Sequence, residues 1–172
     1  ERLRLRVLGA ESGEKLVVLG SGLKGARHLP GGYILIGRDL VEGQSSADVL
    51  AGHVLAEVAR SDAADPLRSL LRWTGVGPAF RLLTTGDLPK DRLIGYAEVL
   101  VAAPQAALSP DDLAGRFGAA GVSATPYAET LGSDGAGFAE VLTAADPFRT
   151  TPPPSPVLDD ADWVALQGIC GG

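Results

Sequence analysis

The residues most capable of chemistry lie together on one predicted helix, over residues 46–60. His53, Glu57 and Arg60 follow one another at i, i+4 and i+7, so three ionisable groups share one flank of this helix. Glu57 also falls within the apolar stripe of the same helix. A buried acid is costly unless it is paired. Two interpretations are therefore open: a structural ion pair between Glu57 and Arg60, or a site in which Glu57 has a chemical role.

Composition limits the classes of function. A chain of 172 residues suits one domain with its own core. The net charge of −6 and the few aromatic residues argue against a nucleic-acid-binding surface. The single cysteine, Cys170, excludes an internal disulfide and a cysteine-based zinc site. No apolar run approaches the roughly 18 residues that a membrane span requires.

The predicted order of elements is strands first and helices afterwards. Residues 2–7 alternate between basic and apolar side chains, which is typical of a half-buried strand. Residues 15–19, apolar on both faces, and residues 33–36, ending at Gly37, are predicted as the second and third strands. Helices are predicted to begin near residues 65, 89, 109, 125, 137 and 160. Ser109 is the predicted N-cap of one of them, and Asp159 or Asp160 that of the last. This order indicates an α+β fold with segregated layers.

The loop after the second strand raises the possibility of a nucleotide-binding module. Residues Gly20–Gly25 match G-x-G-x-x-G, the fingerprint of a dinucleotide-binding site. Asp39 follows about 20 residues after its first glycine, where such a site has an acidic residue. That function requires a helix that begins at Gly25 and holds the phosphates at its N-terminus. Pro30 stops any such helix within two turns. A glycine-rich loop between strands is therefore the favoured interpretation.

One run of residues resembles a known family. Residues 29–34 read L-P-G-G-Y-I and are followed by Asp39, an acid-containing turn and L-A-G at the start of the predicted helix. This order resembles the gluzincin-type zinc metallopeptidases, which include the prenyl-protein endopeptidases, the heat-shock membrane protease HtpX and the beta-barrel-assembly-enhancing protease. Residues 151–155, T-P-P-P-S, are similar to the T-H-P-P-S segment near the end of that family's domain.

The resemblance implies a minimal gluzincin-like metallopeptidase domain over residues 1–149. Such a domain has a small three-stranded sheet packed on a helical bundle, with LPGGY in the edge strand along which a substrate peptide lies. The Pro-rich segment and last helix, residues 150–172, are expected to pack back on this domain, and the alternative is a docking tail. The resemblance assigns peptide binding to Leu29, Pro30, Gly31, Gly32, Tyr33 and Ile34.

The chain departs from the family at the catalytic motif. In the register set by L-A-G, the H-E-x-x-H motif falls on residues 56–60, which read A-E-V-A-R. The motif works because two histidines bind zinc and the glutamate activates the metal-bound water. Ala56 has no donor atom, and Arg60 is a fixed cation that cannot bind zinc. The family's third ligand, a glutamate on a later helix, aligns near position 108 or 110, where no glutamate stands.

We therefore predict a pseudoenzyme of metallopeptidase type that holds no cofactor. In this hypothesis Glu57 is left from the general base, and Arg60 replaces the charge of the lost metal. The domain then binds a partner protein or an extended peptide, because strand addition along residues 29–36 needs only backbone groups. The peptide-binding hypothesis fails if residues 29–36 form a central strand.

A second hypothesis is an active zinc-dependent peptidase or hydrolase with the ligands His53, Glu57 and Glu98. A His–Glu–Glu set can bind zinc. His28 directly precedes the LPGG segment and is a further residue that could approach this site. In the first hypothesis His53 is instead a partly buried residue bonded to Glu57, and His28 is a loop residue.

The resemblance also implies a compartment. Bacterial relatives of this fold are often associated with the cell envelope, which favours the envelope or periplasm over the cytoplasm. The many Ala and Gly residues and the lack of Met indicate a high-GC bacterial source. Because the chain begins at Glu1 rather than Met, we expect that a signal peptide or an anchor was removed upstream.

Overall fold

The structure is a computed structural model, and it describes residues 1–29, 31–63 and 105–170. The helices predicted to begin at Asp65 and Pro89 lie outside the described residues. Pro30 and Glu98, which the two functional hypotheses use, lie outside them as well. In the described parts of the chain, no helix is long and apolar enough to span a membrane.

The first element is a helix, so the prediction of a strand over residues 2–7 is wrong. Helix α1 spans Arg2–Leu8. The alternating pattern also places Leu3 and Val7 four residues apart, on one helical face, and both are buried. Leu5, off that face, is 44% exposed. Packing of α1 against α3 (residues 47–63) and the helix over residues 110–120 therefore selects the helix over the strand.

In the described part of the chain, the sheet has three strands in the order β1-β3-β2. These are β1 (Lys15–Leu19), β2 (Ala26–Leu29) and β3 (Tyr33–Gly37). β1 pairs with β3 in parallel, and β2 pairs with β3 antiparallel. The predicted α+β class and the three-stranded sheet are confirmed, and so are the strands over residues 15–19 and 33–36. β2 takes the place of the strand predicted over residues 2–7.

The LPGGY segment does not form an edge strand, and that prediction is wrong. Leu29 ends β2, Gly31 and Gly32 lie in the turn, and Tyr33 begins β3, which is paired on both sides. Both glycines adopt the left-handed region, at φ +88° and +76°, which residues with a Cβ rarely enter. The chain therefore reverses at this point, and β3 falls between its two neighbours.

The glycine-rich loop connects two strands, as the sequence favours. Gly25, at φ +77°, is followed by β2 rather than by the helix that a dinucleotide site requires, so this structural requirement of the nucleotide-binding hypothesis is not met. The carboxylate of Asp39, in the first turn of α2 (Arg38–Glu42), accepts a hydrogen bond from the Gly25 N–H at 3.0 Å. Asp39, which would contact a ribose in a dinucleotide site, instead holds the loop by this hydrogen bond.

The described helices pack on one face of the sheet. Helix α3, Ala47–Ala63, contacts β2, β3, α1 and the two helices over residues 110–120 and 125–128, and most of its side chains are buried. The later elements are α4 (Pro110–Ala120), α5 (Thr125–Ala128), a 3₁₀ turn (Ser133–Gly135), α6 (Ala136–Ala144), α7 (Asp160–Gln167) and a second 3₁₀ turn (Gly168–Cys170). The hydrophobic core lies between α3, the inner face of the sheet and these helices. Helix α3 is thus the element around which the described fold is built.

Two of the later helices begin where the capping signals predict. The Ser109 hydroxyl accepts a hydrogen bond from the Asp112 N–H at the start of α4, and the Asp159 carboxylate accepts one from the Asp162 N–H at the start of α7. α7 contacts α2, and the Gln167 side chain donates to the Val41 carbonyl oxygen at 3.3 Å.

Candidate functional site

The candidate site is a polar cluster around Glu57 on α3. The residue lies on the side of α3 that faces β2, and its side chain is 1% exposed. Ala56, at the first position where the resemblance implies a histidine ligand, is fully buried in the hydrophobic core. Arg60, at the second, lies one turn further along the same helix. The cluster therefore occupies the position where the resemblance implies a metal centre.

Three residues hold the Glu57 carboxylate. Its Oε2 accepts the His28 backbone N–H at 2.9 Å and lies 3.0 Å from His28 Nδ1. Its Oε1 accepts a hydrogen bond from Gln105 Nε2 at 2.8 Å and one from Arg60 Nη1. The ion-pair interpretation of Glu57 and Arg60 is therefore confirmed, and both carboxylate oxygens are occupied by donors of this chain.

The electrostatics of the cluster favour an ionised Glu57. Burial is the largest influence and raises its pKa, but the hydrogen bonds from His28 and the charge of Arg60 together outweigh it. The net result is a pKa below the ordinary value of a glutamate. Arg60 is itself mostly buried, with 14% of its side chain exposed. Two buried opposite charges thus stabilise each other in place of a cation from solution.

His53 lies beside the cluster as a neutral residue. Burial, followed by the charge of Arg60, lowers its pKa to about 4. Its ring stands edge-on to the ring of Tyr127, with centroids 5.0 Å apart and an interplanar angle of 85°. Among the hydrogen bonds of the described residues, none joins His53 to Glu57, so that predicted contact is wrong. His28, predicted as a loop residue, instead lies on β2 and bonds to Glu57.

The residues at the positions where the resemblance implies zinc ligands do not fit a zinc site of that family's type. Ala56 offers no lone pair, and Arg60 places a cation where the second histidine would bind zinc. At the third position, Leu108 packs against the core and Pro110 is the first residue of α4. No three His, Cys, Asp or Glu side chains within the described ranges are grouped so as to hold a metal. The ligand Glu98 of the second hypothesis lies outside those ranges.

Sequence reasoning missed Gln105 and Tyr127. Gln105 precedes α4, 48 positions after Glu57, and no local pattern marks it as a partner. Tyr127 packs directly on α3 at Gly52, where an added Cβ would overlap the tyrosine side chain. A glycine inside a helical pattern often marks such a close approach, so Gly52 was the one signal available.

The same cluster forms hydrogen bonds with backbone groups at the outer edge of β2. The His28 N–H points away from β3 and donates to Glu57, and the Ala26 carbonyl oxygen accepts a hydrogen bond from Gln105 at 3.3 Å. These are backbone groups that an added strand would need. Two outward backbone groups of β2, the His28 N–H and the Ala26 carbonyl oxygen, are therefore already bonded to side chains.

The edge of the sheet at β1 differs from that at β2 in the state of its outward backbone groups. Lys15 N–H donates to the Gly32 carbonyl oxygen at 2.7 Å, so the backbone groups of residues 15, 17 and 19 face β3. Those of Leu16 and Val18 point the other way. Within the described residues, β1 pairs with no strand on that side. The outward N–H and C=O groups of Leu16 and Val18 therefore form the open edge of the sheet, as far as the chain is described.

The predicted peptide-binding residues separate in space. Ile34 is buried in the core on the inner face, whereas the Tyr33 side chain lies on the outer face and is 39% exposed. Gly31 and Gly32 lie in the turn, and Leu29 is half-buried at the end of β2. They do not line one groove along an edge.

The fold and the cluster define a small α+β protein with a mixed sheet and a buried, ion-paired glutamate on its central helix. No protein-family model matches the chain, and no curated protein is significantly similar to it in sequence. The resemblance to metallopeptidases accordingly rests on the sequence motifs given above.

Proposed function

We propose that this chain is a non-catalytic, metallopeptidase-like domain that binds an extended segment of a partner protein by strand addition at β1. The observation that carries the proposal is the contrast between the two sheet edges. At the β2 edge, Glu57 and Gln105 bond to the outward His28 N–H and Ala26 carbonyl oxygen, whereas the outward backbone groups of Leu16 and Val18 are not paired with another strand of the described chain.

The non-catalytic part of the proposal is supported by the state of Glu57. A general base needs a free lone pair within hydrogen-bond reach of the proton that it removes. Both oxygens of Glu57 already accept hydrogen bonds, from His28 on one side and from Gln105 and Arg60 on the other. An ionised, fully engaged carboxylate of this kind stabilises the core and has little capacity to activate water.

Because β3 is central, peptide binding along residues 29–36 fails on its stated condition, and the proposal places the peptide at the β1 edge instead. A central strand has no free ladder groups, so β3 cannot accept an added strand. β1 is five residues long and half-buried over residues 16–19. Strand addition here would extend the parallel pair of β1 and β3 and cover apolar side chains that are now partly exposed.

Selection from a random peptide library displayed on phage, followed by nuclear magnetic resonance of the labelled domain, tests this proposal. The selected peptides should perturb the amide signals of residues 15–19 first. Val18→Pro removes an outward N–H and should weaken binding at least about tenfold, because one ladder hydrogen bond is lost and the ring obstructs the edge. Val18→Thr, which keeps the N–H and the branched shape, is the matched control.

Circular dichroism of both variants verifies that each is folded before binding is compared. Peptides that leave β1 unperturbed, or that bind Val18→Pro and Val18→Thr equally well, would refute strand addition at this edge. Hydrolysis of selected peptides by the purified domain, abolished by Glu57→Gln, would refute the non-catalytic part.

A further inference from the structure

We infer that the segment bound at β1 carries an acidic residue beside Lys15 and apolar residues beside Val17 and Leu19. This inference rests on the proposed strand addition and adds the chemistry of the partner. It comes from the outer face of the sheet, which the helices of the described chain do not use as their packing surface.

The strand registers define which side chains share the outer face. Residues paired across a ladder point to the same side of a sheet. The inner face carries Leu16 and Val18, which pack against the core, and their partners Ile34 and Ile36, which are buried. The opposite, outer face carries Lys15, Val17, Leu19, Arg27, Leu29, Tyr33 and Leu35.

The outer face is apolar with basic charges. Its aliphatic side chains are half-buried rather than buried. Its charged members, Lys15 and Arg27, are both cationic, in a chain whose net charge is −6. An acidic and apolar partner therefore complements this face, and a basic one does not.

Lys15 is placed to select the partner's charge. It is exposed, and its Nζ lies 5.0 Å from the centroid of the Tyr33 ring and 3.4 Å from the Tyr33 hydroxyl. No carboxylate of the described residues forms an ion pair with it. The aromatic ring thus holds the ammonium group on the outer face without neutralising it.

The geometry of strand addition predicts a sequence pattern for the partner segment from the residues on this face. An added strand lies about 4.8 Å from β1, and directly opposed side chains have Cβ atoms about 5 Å apart. A residue beside Lys15 is then close enough for an ion pair. The next two residues on the same face lie beside Val17 and Leu19. The partner pattern is acid-x-apolar-x-apolar for a parallel segment and the reverse for an antiparallel one.

Fluorescence anisotropy with four labelled peptides tests the pattern on the folded domain. Their sequences are TETVTLT and TLTVTET, with the acid at either end, and TKTVTLT and TLTVTKT, with lysine in its place. The better acidic peptide should bind about fivefold more tightly than its lysine counterpart, which is the size of one cross-strand charge pair and its reversal. Lys15→Glu should invert this preference.

Lys24→Glu is the matched control, because Lys24 is exposed in the loop after β1 and the substitution changes the net charge equally. It should leave the preference as in the wild type. Equal binding of acidic and lysine peptides, or no response to Lys15→Glu, overturns this inference and leaves strand addition standing. A failure of all four peptides and of the phage-selected peptides to bind overturns strand addition itself.

Discussion

The ion pair between Glu57 and Arg60 provides the sharpest quantitative prediction. Glu57→Gln leaves the Arg60 guanidinium mostly buried without the charge of Glu57, and Arg60→Met leaves an ionised carboxylate that, among the described residues, His28 and Gln105 support. Breaking a buried pair by removing one partner costs about 3–5 kcal/mol. Each single variant should lose stability in that range, with Arg60→Met at its lower end because two donors remain.

The double variant separates pairing from burial. With both charges gone, the side-chain amide oxygen introduced by Glu57→Gln can still accept the His28 N–H, and the methionine introduced by Arg60→Met fills much of the volume of the arginine stem. Replacement of a buried ion pair by uncharged groups is often close to neutral. The double variant should therefore be more stable than the sum of the single losses predicts, with a coupling energy of about 2 kcal/mol or more.

Urea unfolding at pH 7 measures these four free energies, with equal denaturant slopes as the condition for comparing them. A matched cycle on Arg116 and Asp62, an exposed ion pair with an N–O distance of 2.7 Å, should give a coupling below about 1 kcal/mol. A coupling for Glu57 and Arg60 no larger than that of the exposed pair would refute the view that Arg60 replaces a lost metal charge.

Three further predictions concern the same region. The pKa of His53 is lowered to about 4 in the fold, so the neutral form favours folding above the unfolded pKa of about 6.5. Stability should fall by about 2 kcal/mol from pH 7 to pH 5, a loss that urea unfolding should not show in His53→Phe. Gly52→Ala should destabilise by about 1–3 kcal/mol in thermal or urea unfolding, because its Cβ overlaps Tyr127. Gly115→Ala in α4, where a Cβ meets open space, should instead stabilise by up to about 1 kcal/mol. Elemental analysis after dialysis without chelator should find no stoichiometric zinc, because both Glu57 oxygens already accept hydrogen bonds from His28, Gln105 and Arg60; one zinc per chain would favour the second hypothesis instead.

Local signals in the sequence were sufficient for several elements. The caps Ser109 and Asp159 start their helices as predicted, since capping depends on residues within one turn. β1 and β3 were predicted because short apolar runs bounded by glycine favour buried strands. The 3.6-residue period placed Glu57 in the buried face of α3, and its pairing with Arg60 followed from their spacing on that helix.

Long-range contacts decided what the local signals left ambiguous. The alternating residues 2–7 satisfy a strand and also one face of a helix through Leu3 and Val7, and packing against α3 selects the helix. The role of LPGGY changed because two glycines reverse the chain and place β3 in the centre of the sheet.

The Glu57 cluster separates what local sequence properties predict from what the tertiary structure adds. The sequence by itself determined that a glutamate would be buried on the central helix and that it needed a partner, because periodicity and the cost of burying a charge are local properties. Only the tertiary structure brought His28 from β2 and Gln105 from the segment before α4 to the same carboxylate. His28 and Gln105 lie 29 and 48 positions from Glu57 in the sequence. No periodic pattern predicts such contacts, because only the fold brings these side chains together.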